Sequence, residues 1–475
     1  MEEWVDRILK EEKRRRNIPL EVKRLNGNYY LYHSTSKYDR EVHGPRKVSE
    51  YIGRITESGV VEAHRSSRSV YEYGNSQLVY SLSSDLLKAL GRHFPDSWES
   101  LYAMSVVRLM DPVPLKSIRE RWEKLHISTI LHPHLSPNSL TDLLRDTGSD
   151  LSGQYDFFRD MISGSEKLAF DLSSIFSRSE NINMAQKGHN ADHEYIPQIN
   201  IALVFDIEHY RPVFLKSLDG SVRDIKSLRK VLEEMSFNGI MVLDRGFASY
   251  DLAGIMAADM RFVMPLRRNS DLADYDMKLN ASFMYRDRGI LCGFTNHEGY
   301  RIYMFQDQSL MAEESSNFIS MVSQGKRRQS EYEAASRMFG KISILSNIRD
   351  DPESIYLMYK QREEIEQAFD AMKNELENDK AYLRDDDSIR GYFFISFLSL
   401  YLYYSIFVLI RAADLTDRIS VKDALLRFSR VYDIVDGKKT IISEIPASSA
   451  KLDEQLGTNI FPKKYAGSAD SEESA

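Results

Sequence analysis

Tyr359, Arg362, Glu366 and Lys373 lie close together in the stretch MYKQREEIEQAFDAMKNE, a phenol, a guanidinium, a carboxylate and an amine. On an α-helix turning about 100° per residue they stand at roughly 0°, 300°, 340° and 320°. They therefore share one polar stripe, beside an apolar stripe of Ile365, Phe369, Met372 and Leu376 of the kind a helix buries. Arg362 and Lys373 flank Glu366 on the same face. Cations so placed can hold phosphates while the carboxylate between them holds a metal, and Tyr359 can donate a hydrogen bond or stack on a base. The plain alternative is i,i+4 and i,i+7 surface pairing, worth tenths of a kcal/mol.

Two further acids occupy places where an acid is uncommon. KLAFDLSSIFS alternates as a strand and carries Asp171 in its middle, and GIMVLDRGF is a continuous apolar strand that ends in Asp244 before a turn at Gly246. Open α/β sheets present ligands at the carboxyl ends of their strands. A strand Asp, a neighbouring strand-end Asp and a helical Glu closing over them make an oxygen-only donor set, suited to Mg²⁺ or Mn²⁺ rather than Zn²⁺. Two such ions about 4 Å apart serve phosphodiester chemistry. Each acid taken alone reads more readily as solvated surface, Asp171 least so because it interrupts an apolar strand. Arg245, next to Asp244, can reach a phosphate or pair with an acid, and Arg178 has the same two readings. His189, Asp192 and His193 have zinc-ligand spacing, but Gly188 and Pro197 suggest a loop and no third ligand is evident.

The elements that must position these residues follow from pattern. PQINIALVFDIEHYRPVFLKSL gives two strands joined near Glu208–Tyr210, SVRDIKSLRKVLEEM an amphipathic helix, SYDLAGIMAAD a helix and RFVMPL a strand. The result is a mixed sheet with helices on its faces. Residues 267–340 break the rhythm with short strand-like pieces, ILCGFTNHEGYRIYMFQ among them, before KISILSN resumes as a strand. The stripe-bearing helix then follows as one long helix, with Asp351 or Ser354 as its cap and Pro352 in its first turn. Upstream, SSDLLKALGRHF, SWESLYAMSVVRLM, LKSIRERWEKL and SLTDLLRDTG are helical. NYYLYHSTSKYDR and VSEYIGRITESGVV suggest a β-hairpin arm after a basic helix. The tail GSADSEESA reads as disordered.

Bulk composition narrows the classes. With 475 residues, 42% hydrophobic and 28% charged, the chain is ordinary globular material with room for several domains. A single cysteine, Cys292, excludes a disulfide scaffold and suits a reducing compartment. The charged opening MEEWVDRILKEEKRRRN is unlike a signal peptide. The net charge of −8 argues weakly against a polyanion partner, yet residues 1–54 carry 13 Lys/Arg against 9 Asp/Glu, and GKRR with Arg337 and Lys341 makes a second basic region. Gly391–Ile410 is uncharged and long enough to span a bilayer, but its tyrosines and serines fit a helix buried in a large protein better.

Taken together, the blocks resemble a DDE transposase of a prokaryotic insertion sequence, in the family marked by a YREK signature. Tyr359, Arg362, Glu366 and Lys373 match that signature without a gap, FDLSSIF resembles the first-Asp strand, LDRGF the second-Asp block, and GHNADHEYIPQINIALVFD…RPVFL the strands between. The likeness spans about residues 165–412. It implies an RNase H-like α/β fold, a mixed sheet with flanking helices interrupted by a β-rich insertion, plus a mainly helical N-terminal region with its β-hairpin arm. The expected division is 1–60, basic helix and arm with possible DNA contact; 61–164, helical and DNA-binding; 165–266 and 341–412, the two parts of the catalytic domain; 267–340, the insertion; and 413–475, a C-terminal helical region and tail.

The resemblance further implies that Asp171, Asp244 and Glu366 hold two Mg²⁺ or Mn²⁺ ions. Arg362, Lys373, Tyr359 and Arg245 would contact DNA. The partners would be double-stranded transposon ends and target, the assembly a homodimer on DNA, and the location cytoplasmic with no membrane. Some members flip a base onto an insertion-domain aromatic. The tryptophans here are Trp4, Trp98 and Trp122, so Tyr300, Tyr303, Tyr332 or Phe339 would have to serve. The competing readings are a non-catalytic DNA-binding relative, a nuclease without strand transfer, and a single-span membrane protein.

Overall fold

The computed structural model describes residues 2–25, 27–39, 44–62, 68–177, 181–188, 196–222, 224–376, 383, 385–436 and 439–462. These form two units, Met1–Ser69 with Ile434–Ile441, and Val70–Asp433 with Ile442–Ala475.

In the first unit the helix Glu3–Arg16 starts with Glu3 and Asp6 and ends in Lys13–Arg16, the charge order its dipole favours. Behind it the strands Leu20–Leu25, Asn28–Asp39, Gly44–Thr56 and Gly59–Glu62 form a four-stranded antiparallel sheet in chain order. The expected hairpin arm is thus the centre of a larger sheet. It has its own core of Val5, Ile8, Leu20, Tyr29, Leu31 and Ile55, in which the helix seals one sheet face.

The second unit is built on a nine-stranded mixed sheet. Lys167–Phe176, Gln198–Asp206 and Arg211–Asp219 run as an antiparallel meander, and Gln198–Asp206 is buried along its whole length. On the other side of Lys167–Phe176 come Ile240–Val242 and then Arg261–Pro265, both parallel to it. Lys341–Ser346 pairs antiparallel with Arg261–Pro265. Tyr300–Asp307, Arg288–His297 and Ala281–Tyr285 then continue the sheet outward. The strands of 267–340 therefore extend the central sheet, and the same segment holds the helices Gln308–Ser323 and Tyr332–Ser336. Alternating short strands announced the first half. The second half is mostly exposed, with Phe318 the one buried residue of Gln308–Ser323, so it lacks the apolar face that marks a packed helix in sequence.

The helix expected as one long rod is divided. Asp351 caps Pro352–Gln361 by accepting from Ser354 N at 3.0 Å. At Arg362 the winding tightens, with Arg362 N bonded to Tyr359 O and Ile365 N to Arg362 O, and Glu363–Asp370 follows. Ala371–Glu375 then opens into a π-helical turn closed by Leu376 N to Ala371 O at 3.1 Å. Pro352–Gln361 packs on Arg261–Pro265 and Arg288–His297, and Glu363–Asp370 on Lys167–Phe176 and Gln198–Asp206.

Asp386–Ala412 is the one helix among the described residues long and apolar enough to cross a bilayer, and 72% of its apolar window is buried inside the protein. It packs on Pro137–Ser149, Trp98–Met110 and the strand Arg211–Asp219. Phe394 and Phe397 meet Phe157 and Phe158 edge to face. Its apolar surface is taken up by protein, as the buried-helix reading of Gly391–Ile410 requires. The closest approach is at two glycines. A Cβ at Gly391 would stand 1.9 Å from Leu144 O, and one at Gly148 would stand 1.7 Å from Asp387 O. Gly391→Ala should therefore destabilise the protein by about 1–3 kcal/mol or more, read as a lower urea midpoint. Gly91→Ala, with nothing within 4 Å of the added carbon, should not. Equal midpoints for the two variants would mean that the helices do not cross there.

Candidate active site

Sheet register brings the first two acids level. Ala169 pairs with Val242 across parallel neighbours, and Asp171 and Asp244 each follow two residues later. Adjacent strands lie about 4.8 Å apart, so the two side chains leave the sheet side by side. Their segments are pinned by rings: Phe170 and Phe247, both buried, meet edge to face with centroids 5.2 Å apart. Asp171 is steadied by Leu172 N at 2.8 Å. Asp244 caps the short turn Arg245–Phe247, and the Arg267 guanidinium donates to Gly246 O at 3.1 Å from the far side of that turn. Phe170, Phe247 and Arg267 are the positioning residues that pattern reading passed over. The aromatic one residue before Asp171 and three after Asp244 was the available signal.

Glu366 comes from above the sheet. Ile365, Ala368 and Phe369 bury one face of its helix, which turns Glu366 outward beside the strand acids. Arg362 joins all three. Its Nη2 lies 2.6 Å from Glu366 Oε1 and 3.5 Å from Asp244 Oδ1, and its Nη1 lies 3.9 Å from Asp171 Oδ2. The side chain is only 10% exposed, and Nε is buried without a hydrogen-bond partner. Burial is the largest influence and works against the guanidinium charge, but Asp244, Glu366 and Asp171 outweigh it and hold the group protonated above its usual range. Burial pushes the Asp171 carboxyl up to about 7, with Asp244 and Glu366 adding to the rise and the Leu172 amide and Arg362 opposing it.

The donor chemistry suits a hard divalent cation. Three carboxylates converge, all-oxygen and partly desolvated, and a cation already stands among them in the form of the guanidinium. The fit is one of donor type and charge. Among the described residues no three acid, His or Cys side chains are close enough to share one ion as they stand.

Tyr359 lines the same site, its ring 6.0 Å from the Arg362 guanidinium. Burial, reinforced by Asp244 and Glu366, raises its hydroxyl pKa, while Arg362 and Arg245 act the other way. The hydroxyl thus stays a proton donor. Arg245 is half-buried beside Tyr359 and Tyr275, with Nε lacking a hydrogen-bond partner. Lys373 sits half-buried in the π turn. Arg178, His189, Asp192 and His193 lie outside the described residues. Of the insertion aromatics, Tyr303 is fully buried with its hydroxyl donating to Ile348 O and Asp350 O, and Phe339 is packed between Phe318 and Tyr332. Neither can receive a base, which leaves Tyr300 and Tyr332.

Residues 164–402 match the family model described as a transposase DDE domain. No curated protein matches the chain. Among solved structures, a cryo-EM structure of a piggyBac transposase synaptic complex with hairpin DNA is similar at 11% identity over 84% of this chain and 87% of that chain, with a TM-score of 0.41.

The Asp171 shift has a consequence for the metal-free protein. Between about pH 4 and 7 the folded chain holds a proton that the unfolded chain releases, so stability falls as the pH rises through that window. Asp171→Asn carries no such cost. Its melting temperature in chelator should exceed that of the wild type at pH 8, and the gap should close toward pH 4. A pH-independent gap would contradict the raised pKa.

Proposed function

The chain belongs to the transposase DDE domain family, and on that basis we propose that it is a DNA transposase whose catalytic carboxylates are Asp171, Asp244 and Glu366. The observation that carries this reading is the convergence of the three on one buried guanidinium. The fold reading is finer still. The strands Lys167–Phe176, Gln198–Asp206, Arg211–Asp219, Ile240–Val242 and Arg261–Pro265 lie in the spatial order third, second, first, fourth, fifth, which supports an RNase H-like core.

Asp171, Asp244 and Glu366 would hold Mg²⁺ or Mn²⁺, two ions in all, and the metal supplies activation of an oxygen nucleophile and stabilisation of the leaving oxygen. The chain's own groups do the rest. Arg362, Arg245 and Lys373 grip backbone phosphates, and the protonated Tyr359 hydroxyl donates to one of them. Phe170 packed on Phe247 keeps the two strand acids at fixed spacing, so a phosphodiester meets a preorganised site. Hydrolysis at the element's end frees a 3′-hydroxyl, and that hydroxyl attacks the phosphorus of a target-strand phosphodiester, forming a new O–P bond as the target's own 3′-oxygen leaves as a hydroxyl. The substrate is double-stranded insertion-sequence ends and target DNA. The basic run Lys13–Arg16 and the helices of 61–164 contact the duplex, and two copies assemble on it.

On end DNA with Mg²⁺, Asp244→Ala should lose strand nicking by a factor on the order of 10³ or more. Glu366→Gln should lose nicking and joining alike while still binding the ends. Wild-type activity in Asp244→Ala would sink the assignment. Arg362 supplies a second measurement. Because it neutralises the acids in the free protein, Arg362→Gln should bind Mn²⁺ more tightly than wild type in the absence of DNA, by about five-fold or more. End DNA should tighten Mn²⁺ binding in the wild type and fail to do so in the variant. If Arg362→Gln weakened Mn²⁺ binding, the guanidinium would be holding the acids in place and not standing in for a metal.

A further inference from the structure

The four-stranded sheet of the first unit has a second face, and its composition differs from the one the helix covers. Strand alternation assigns the faces. Val22, Tyr29, Leu31 and Ile55 belong to the packed side. Their neighbours Lys23, Tyr30, Tyr32 and Arg54 point the other way. The register aligns them: Lys23 pairs with Tyr30, Tyr30 with Arg54, and Tyr32 with Tyr51 beyond a bulge. Two cross-strand rows therefore bring three tyrosines together. Tyr51 meets Tyr30 with centroids 5.9 Å apart at 62°, and Tyr32 with centroids 5.4 Å apart at 54°. The rings are tilted against each other and half-buried, neither laid flat on one another nor lost in a core.

Cations frame them. Lys23 Nζ stands 4.4 Å from the centre of the Tyr32 ring, and Arg54 is exposed, braced by a 2.7 Å bond to Asn28 Oδ1. Two rows further along the same face lies Lys47, which pairs with Glu21 at 2.8 Å. Glu21 is the one acid among these face residues, and Lys47 already neutralises it. The face thus carries three aromatic rings, a net positive charge and two exposed aliphatic side chains, Val61 beside Arg54 and Leu25 at the end of its strand. A protein partner of ordinary interface composition would want more apolar surface. Duplex DNA would use the cations and leave the rings without a role, because its bases are already stacked. Unpaired bases use both, stacking on tyrosine while lysine and arginine meet the phosphates.

We propose that the outer face of this sheet, Tyr30, Tyr32 and Tyr51 with Lys23 and Arg54, is a binding platform for single-stranded nucleic acid. It shares no residue with the carboxylate site and does not depend on catalysis, so a chelator can be present throughout the test. The full chain is titrated with labelled oligothymidylate, with a strand of abasic sites of equal length, and with blunt duplex. The wild type should prefer oligothymidylate over the abasic strand. Tyr30→Ala with Tyr51→Ala should weaken oligothymidylate binding by about ten-fold or more, leaving the abasic strand and the duplex nearly unchanged. Tyr30→Phe with Tyr51→Phe should keep wild-type affinity, since stacking needs the ring and not the hydroxyl. Lys23→Gln with Arg54→Gln should flatten the salt dependence. Unchanged oligothymidylate affinity in the alanine pair would overturn the proposal. So would an equal loss on all three probes, which would report phosphate contact or damage to the fold.

Discussion

One guanidinium holds the candidate site together. Arg362 is buried, and a buried cation is costly unless anions face it. Asp171, Asp244 and Glu366 are three anions crowded on one spot, and they are costly unless a cation faces them. Each offsets part of the other's cost, and the arrangement makes demands on the rest of the second unit. The two strand acids must leave the sheet level with each other, which fixes the parallel register of Ile240–Val242 against Lys167–Phe176. The helix must lie across the sheet at the height where a side chain one turn before Glu366 reaches down to both.

Helix winding answers the second demand. A regular helix from Pro352 to Glu375 would have to serve two packing surfaces, the strands Arg261–Pro265 and Arg288–His297 under its first part, and Lys167–Phe176 and Gln198–Asp206 under its second. The tightened turn at Arg362 and the widened turn at Ala371–Glu375 depart from the α-helical pitch in opposite senses. The first redirects the helix at the residue that must enter the acid cluster. The second lets Leu376, fully buried, return to the core. Wide turns of this kind are frequent at functional sites, and here Lys373 is carried on one. Behind the sheet, Asp386–Ala412 supplies the rigid backing. Its contact with Arg211–Asp219 fixes the far edge of the meander that carries Asp171.

Much of this was legible in the residues, and the parts that were not share a cause. Strand alternation around Asp171, the continuous apolar run before Asp244 and the apolar stripe beside Glu366 all report on local burial, which periodicity measures directly. The Pro352 start with its Asp351 cap was legible for the same reason. The division of the long helix was not, because the tight and wide turns are imposed by what lies beneath, and residues 359–376 carry neither Gly nor Pro to mark them. The small sheet of the first unit read as a hairpin because its outer strands are short and half-polar. That the strands of 281–307 join the central sheet was not legible, because nothing local says that Lys341–Ser346 will accept Tyr300–Asp307 as a neighbour. Sheet partnership is a long-range choice. The buried aromatic contact of Phe170 with Phe247, 77 residues apart in sequence, is another such choice.

Charge accounting explains why this site is poised and not satisfied. Three carboxylates face one guanidinium, and the shortfall appears as the Asp171 carboxyl, whose proton is retained to about 7 because burial and two neighbouring acids outweigh Arg362. A protein that needed only a stable core would have fewer acids or more cations there. A second cation entering the cluster would relieve Asp171 and release Arg362 from duty as sole counter-ion. An anion drawing on Arg362 would leave the acids short of positive charge and so more receptive to a cation. Linkage makes the two effects equal in size. On the proposed function, the same guanidinium that offsets the acids would therefore connect the binding of a cation by the acids to the binding of a phosphate by the stripe. Arg245 lies close enough to oppose the rise in the Tyr359 hydroxyl pKa, and on the proposed function both would face that phosphate.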